Sequence, residues 1–194
     1  MGLYLHFGAG PNQLPEPFQN LNVAHDIRKP LRFQDGSASM VFAEHVIEHV
    51  PFLAGLAFVN EVFRVLEPGG VFRLSFPDVA RFLHVTWPEE RFGFNGRASA
   101  YALELAKRPQ LTAVSPAEAV TVLLAGWGHQ SAWTREVGVA ALLVAGFSVV
   151  RPCSYGDHSR GVPAELRGYP IDGHHVDVGL ELAELETTVL EAVK

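Results

Sequence analysis

Three groups of residues have the type and spacing to do chemistry. The first is His45-x-x-Glu48-His49 within "FAEHVIEHV" (42–50). Two imidazoles four apart with a glutamate between them match the inverted zinc-peptidase pattern, in which both histidines share one helix face and hold a metal. The second is Gly8-Ala9-Gly10, which closes the apolar run "LYLHF" (3–7). Glycines after a strand let backbone approach a nucleotide-like ligand and take positive φ. The third is Asp26, 18 residues after Gly8. A carboxylate at about that distance from a glycine turn can accept both hydroxyls of a ribose. The same spacing also suits an aspartate that caps a turn.

Each pattern has a local context that limits it. Pro51 follows His49 by two residues, and "MVF" (40–42) reads as strand. A long helix on both sides of the two histidines is therefore excluded, and no metal is expected. A zinc hydrolase through residues 45–49 remains as the remote alternative. Pro11 and "QLPEPF" (13–18) follow the glycine turn. No helix therefore opens there to seat a pyrophosphate. That argues against a nicotinamide or flavin dinucleotide and for a cofactor without phosphates.

The elements that must position these groups follow from the apolar pattern. "LYLHF" (3–7), "LNVAHD" (21–26), "MVFAEHV" (40–46) and "VFRLSFPD" (71–78) read as strands. Apolar residues recur at helical period from Phe52 to Leu66 and stop at "EPGG" (67–70). Helices are expected near 98–107 and 116–125, and an amphipathic helix over 133–146 ending in glycine. "FSVVRPCSYG" (147–156) and "ETTVLEAV" (186–193) complete the strands. Strand–turn–helix alternation predicts an α/β fold, a three-layer, mostly parallel sheet whose ligands bind beyond the carboxyl ends of its strands.

Composition narrows the function classes. The 194 residues are 48% hydrophobic and 19% charged. That suits one globular domain. A net charge of -6 without a basic run gives no nucleic-acid footprint. One cysteine, Cys153, excludes an internal disulfide. No signal peptide or membrane-spanning stretch is read, so a cytoplasmic protein is expected, with a homodimer among its assemblies.

The ordered strings "LHFGAGPN", "HDIRKPLRFQDGS", "FAEHVIEHV", "VFRVLEPGGVFRLSFPD" and "LLVAGFSVVRPCSYGDHS" resemble the small bacterial class I (Rossmann-like) S-adenosylmethionine-dependent methyltransferases of the methyltransferase-11 type. The resemblance spans most of residues 3–78 and 129–192. It implies a seven-stranded sheet with an antiparallel last strand near 186–192, and S-adenosylmethionine as cofactor. It implies that Gly8, Ala9 and Gly10 approach the methionine and ribose, and that Asp26 serves the adenosine side. Glu44 and His45 would stand at the methionine end, with Phe7, Asn12, Ile27 and Ala43 completing the cofactor set. Asp78 would face the same cleft.

One departure stands out. About a dozen residues separate Gly10 from "HDIRKPL", where the family places a further strand with its own acid, so the edge at strands 2 and 3 is expected to be trimmed. The first strand opens at the chain start, so cover for an acceptor is expected from an insertion at 79–131 within the single domain 1–194. Trp87, Phe92, Phe94, Tyr101 and Trp127 supply aromatic surface there, and Arg91 and Arg97 could hold an acidic group. Trp87, Arg91, Tyr101 and Trp127 join Asp78 as candidate substrate residues. Methyl transfer to a hydroxyl or protonated amine needs a base. His45, His49, His129 and His158 are the histidines on offer, His45 and His129 being favoured. The expected function is O- or N-methylation of a small molecule or sugar in biosynthesis. The alternative is a cofactor-binding, non-catalytic relative or partner subunit.

Overall fold

A computed structural model describes residues 2–10, 13–22, 24–83, 107, 116–154, 161–162 and 186–194. Six strands form one sheet among these residues: β1 (Leu3–Phe7), β2 (Phe18–Leu21), β3 (Ala38–Glu44), β4 (Leu66–Pro77), β5 (Val149–Cys153) and β6 (Thr187–Val193). Their spatial order is β2-β1-β3-β4-β6-β5. β1 runs parallel to β2 and to β3, and β3 runs parallel to β4. β6 lies antiparallel between β4 and β5. The mostly parallel α/β sheet with an antiparallel last strand is as expected. Six strands are described where seven were implied, and among the described residues the sheet ends at β2.

Alternation along the strands splits the core in two. Leu5, Phe7, Val41, Ala43, Phe72, Leu74 and Phe76 pack in one cluster with Phe58, Val59 and Val62 of α1 (Phe52–Val65) and Leu142 of α4 (Arg135–Ala145). Met40 and Phe42, their alternates on β3, pack with Leu14, Phe18 and Val162 on the other side. A sheet buried on both faces explains why the strands read as continuous apolar runs. Two further helices are described, α2 (Ala80–Leu83) and α3 (Pro116–Ala125).

Several boundaries differ from expectation. β2 ends at Leu21, not at Asp26, because the Asn22 side chain accepts from the Ala24 amide and turns the chain out of the sheet. Asp26 therefore lies beyond a turn instead of at a strand end. β4 begins at Leu66, directly after α1, and "EPGG" bulges out of the sheet where the register jumps from Ala38–Leu66 to Met40–Val71. α4 starts one residue after Thr134, whose hydroxyl accepts from the Val137 amide as an N-cap. The helical stretch expected at 98–107 lies, but for residue 107, outside the described residues.

Candidate active site

The carboxyl ends of β1 and β3 are joined at the glycine turn. Gly8 has φ +80° and its amide donates to the Leu21 carbonyl (3.2 Å). A Cβ at Gly8 would lie 2.8 Å from the Glu44 carbonyl oxygen and 3.0 Å from the Val46 Cβ. That room is taken by protein, so this glycine lets β1 press against β3. Gly10 differs. It is exposed at φ +48°, and a Cβ there would meet nothing nearer than the Gly8 carbonyl oxygen at 3.8 Å. The open side of the turn is therefore at Gly10. Phe7 packs edge-on to Phe58 in the core, Ala9, Ile27 and Ala43 are buried, and Asn12 lies outside the described residues.

Asp26 sits at the mouth of the β2 turn. Arg28 donates to both of its carboxylate oxygens, Nε to Oδ1 at 2.7 Å and Nη2 to Oδ2 at 2.9 Å. These bonds hold its pKa down at about 2, so it is an ionised acceptor at neutral pH.

β3 delivers Glu44, which is 2% exposed. His45 follows at φ +47°. That is a left-handed conformation, rare outside glycine. The His45 amide donates to the Ser75 carbonyl (3.0 Å), and Nε2 lies 2.8 Å from the Thr187 hydroxyl. Nδ1 lies 3.4 Å from Glu48 Oε1 and 3.9 Å from Glu186 Oε1. Burial opposes charge on this ring, but Glu48 at its side, with Glu186 and Glu44, outweighs it and raises the pKa to about 9. His45 is thus an imidazolium at neutral pH and has no lone pair to take a proton. That weighs against the base role expected of it.

The short 3-10 turn Ile47–His49 follows, and a loop from the end of α3 is bonded onto it. The amides of Gln130 and Ser131 donate to the Glu48 carbonyl (2.7 and 3.1 Å), and Gln130 Nε2 donates to the His49 carbonyl (2.7 Å). Trp133, fully buried, donates through Nε1 to the Ser131 hydroxyl (3.0 Å), which donates to the Val50 carbonyl (2.9 Å). This brings the His129 ring edge-on to His49, centroids 4.9 Å apart. His129 Nδ1 donates to the Leu123 carbonyl (2.6 Å), and burial lowers its pKa below the ordinary value. It is a neutral imidazole with its lone pair on Nε2. His45 Nε2 is taken by Thr187, and among the described residues the group with ligand atoms mutually within 4.8 Å is Glu48, His49 and His129, without His45.

Asp78 proves to be an anchor. It is 3% exposed, and its carboxylate accepts from the Ala80 amide (3.0 Å), the Arg135 amide (3.1 Å) and the Thr188 hydroxyl (2.7 Å). It ties β4 to β6 and to the start of α4. Asp78→Ala should cost roughly 2–3 kcal/mol in urea denaturation, since it strands buried donors. A cost below about 0.5 kcal/mol would show that these bonds do not matter. Trp127 is 44% exposed at φ +58°, on the loop that carries His129. Trp87, Arg91, Tyr101 and His158 lie outside the described residues.

Sequence reasoning overlooked Glu186, Thr187, Ser131 and Trp133. Their approach is made by the fold and leaves no local signal. Glu48 was in view only as part of the zinc pattern, although its spacing of three from His45 already allows an ion pair.

Residues 10–74 match the family model described as Methyltransferase domain, of the methyltransferase-11 type. No curated protein matches the chain. Among solved structures, an S-adenosylmethionine-dependent methyltransferase from Mesorhizobium loti is 12% identical, with TM-score 0.52 over 99% of this chain and 90% of that one. One from Archaeoglobus fulgidus is 13% identical, with TM-score 0.52 over 100% of this chain and 86% of that one. These likenesses are of fold. The domain match covers residues 10–74, about a third of the chain, and the fold is that of methyltransferases that use S-adenosylmethionine. The residues present fit that group: Gly10 leaves the turn open, and a buried carboxylate, Glu44, ends the neighbouring strand. No helix among the described residues is long and apolar enough to cross a membrane.

Proposed function

We propose that this protein methylates a small-molecule or sugar acceptor at oxygen or nitrogen, in the cytoplasm. The observation that carries this is the juxtaposition of the Gly8–Gly10 turn with Glu44 at the carboxyl ends of adjacent parallel strands. When bound, the cofactor supplies an electrophilic methyl group on a sulfonium. Gly10 gives its backbone room, and the Glu44 carboxylate offsets the positive charge at the methionine end. Asp26 takes the adenosine side. Its partner Arg28 has 59% of its side chain exposed. An exposed pair is weak enough for ribose hydroxyls to displace. The acceptor lies under the 79–131 segment, most of which is outside the described residues, and His129 serves it with its Nε2 lone pair.

Asp26→Ala should weaken cofactor binding roughly tenfold, the loss of one charge-assisted hydrogen bond or more. Calorimetry reads this directly, and a change under about twofold would leave Asp26 a turn residue only.

Turnover is tested with isotope-labelled S-adenosylmethionine against panels of hydroxyl- and amine-bearing acceptors. Label transferred to one class supports the proposal. Tight cofactor binding with no transfer to any acceptor would favour a non-catalytic cofactor-binding subunit. The trimmed sheet edge and the engagement of Asp26 by Arg28 speak for that second reading.

A further inference from the structure

We propose that Glu48, His49 and His129 form a binding site for a divalent transition-metal ion of the zinc class. One ligand atom from each of the three residues lies within 4.8 Å of the other two. Ligands of a tetrahedral zinc ion stand about 3.3 Å apart, given bonds of about 2.0–2.1 Å. His49 Nε2 and Glu48 Oε1 are already 3.8 Å apart. A modest inward movement of side chains closes the set.

Three features distinguish this cluster from a chance meeting of polar groups. The first is the orientation of His129. Its Nδ1–H is committed to the Leu123 carbonyl at 2.6 Å, which leaves Nε2 as the ring nitrogen for an ion. A ligating histidine is typically fixed by such a bond from its other nitrogen. The second is Glu48, which is 1% exposed while neither carboxylate oxygen meets a donor at hydrogen-bond geometry. The nearest ring nitrogens are His45 Nδ1 at 3.4 Å and His49 Nε2 at 3.8 Å. Paired at that length with one imidazolium, the carboxylate keeps oxygen lone pairs that a bound cation could use. The third is the scaffold. The Gln130 and Ser131 amides on the Glu48 carbonyl, and Gln130 Nε2 on the His49 carbonyl, hold the loop of His129 against the turn of Glu48 and His49. Such a frame preorganises ligands instead of leaving them to be gathered.

Two imidazoles and one carboxylate are a donor set suited to zinc and its neighbours, and poorly suited to magnesium or calcium. No fourth protein ligand joins the three among the described residues. His49, with 38% of its side chain exposed, gives an ion access from solvent. The remaining coordination position therefore stands open to water or to an acceptor oxygen. The "EH" of the sequence pattern takes part after all, with His129 in place of His45. Metal binding itself does not depend on the methyltransferase reading. It does replace the proton-accepting role of His129, because an Nε2 bound to an ion cannot accept a proton.

The test uses the full chain stripped with a chelator, without S-adenosylmethionine, and cobalt(II) as the probe. We expect tight uptake of one equivalent, with visible d–d absorption of low-coordinate cobalt, displaced by one equivalent of zinc. His129→Ala and His49→Gln should each weaken uptake at least about tenfold. His49→Gln alters a partly exposed side chain and should stay folded by circular dichroism, so it decides the matter if His129→Ala does not fold. Absence of a cobalt spectrum at millimolar metal in folded protein would overturn the proposal, as would uptake unchanged in His49→Gln. Either failure leaves cofactor binding and label transfer untouched as tests of the methyltransferase reading.

Discussion

Trp133→Ala is expected to lower stability by about 3–5 kcal/mol, the cost of removing a large buried aromatic side chain. Trp133 is 0% exposed and stacks obliquely on Phe52 and Phe76, at centroid distances of 4.9 and 5.9 Å. It also fills the space beside Gly55, where even a Cβ would come within 2.7 Å of the indole. The substitution leaves a cavity at the junction of α1, β4 and the loop bearing His129. The loss of the Nε1 bond to Ser131 loosens that loop from the Glu48 turn. Urea denaturation should show a lower midpoint with an unchanged slope. A loss below about 1 kcal/mol would mean that the loop is not fastened there.

Gly10→Val should abolish detectable S-adenosylmethionine binding, a loss of at least about a hundredfold, while the folded circular dichroism spectrum persists. A Cβ at Gly10 would meet nothing nearer than the Gly8 carbonyl oxygen at 3.8 Å. What remains is the strain of a β-branched residue in the left-handed region. The branch instead occupies the open side of the turn. Gly8→Ala is the contrasting control. Its Cβ would strike the Glu44 carbonyl at 2.8 Å, so it should destabilise the protein itself. Cofactor affinity unchanged in Gly10→Val would remove the turn from the site.

What the sequence reveals here depends on how local the cause is. α1 was legible because Phe58, Val59 and Val62 recur on one face, and α4 because Thr134 and Gly146 bound it. The glycine turn was legible because glycine favours the positive φ that Gly8 and Gly10 adopt. β2 was misplaced, since "LNVAHD" continues the apolar pattern and only the Asn22 turn ends the strand.

The candidate site was legible as residue types and not as chemistry. His45 and His129 look alike in sequence. Glu186 and Thr187, far along the chain, close on His45, and Glu186 helps make it a cation, while burial keeps His129 neutral. Asp78 looked like a cleft acid because it follows a strand. Its bonds to Arg135 and Thr188 are long-range and cannot be read from spacing. The H-x-x-E-H pattern does not lie on one helix, because left-handed His45 turns the chain and only a short 3-10 turn follows.

The central claim is that the carboxyl ends of β1 and β3 form an S-adenosylmethionine site, and calorimetric titration of the chelator-treated wild-type chain with S-adenosylmethionine tests it most directly. Saturable binding of one cofactor per chain is predicted. A folded chain that shows no binding at millimolar cofactor would contradict it.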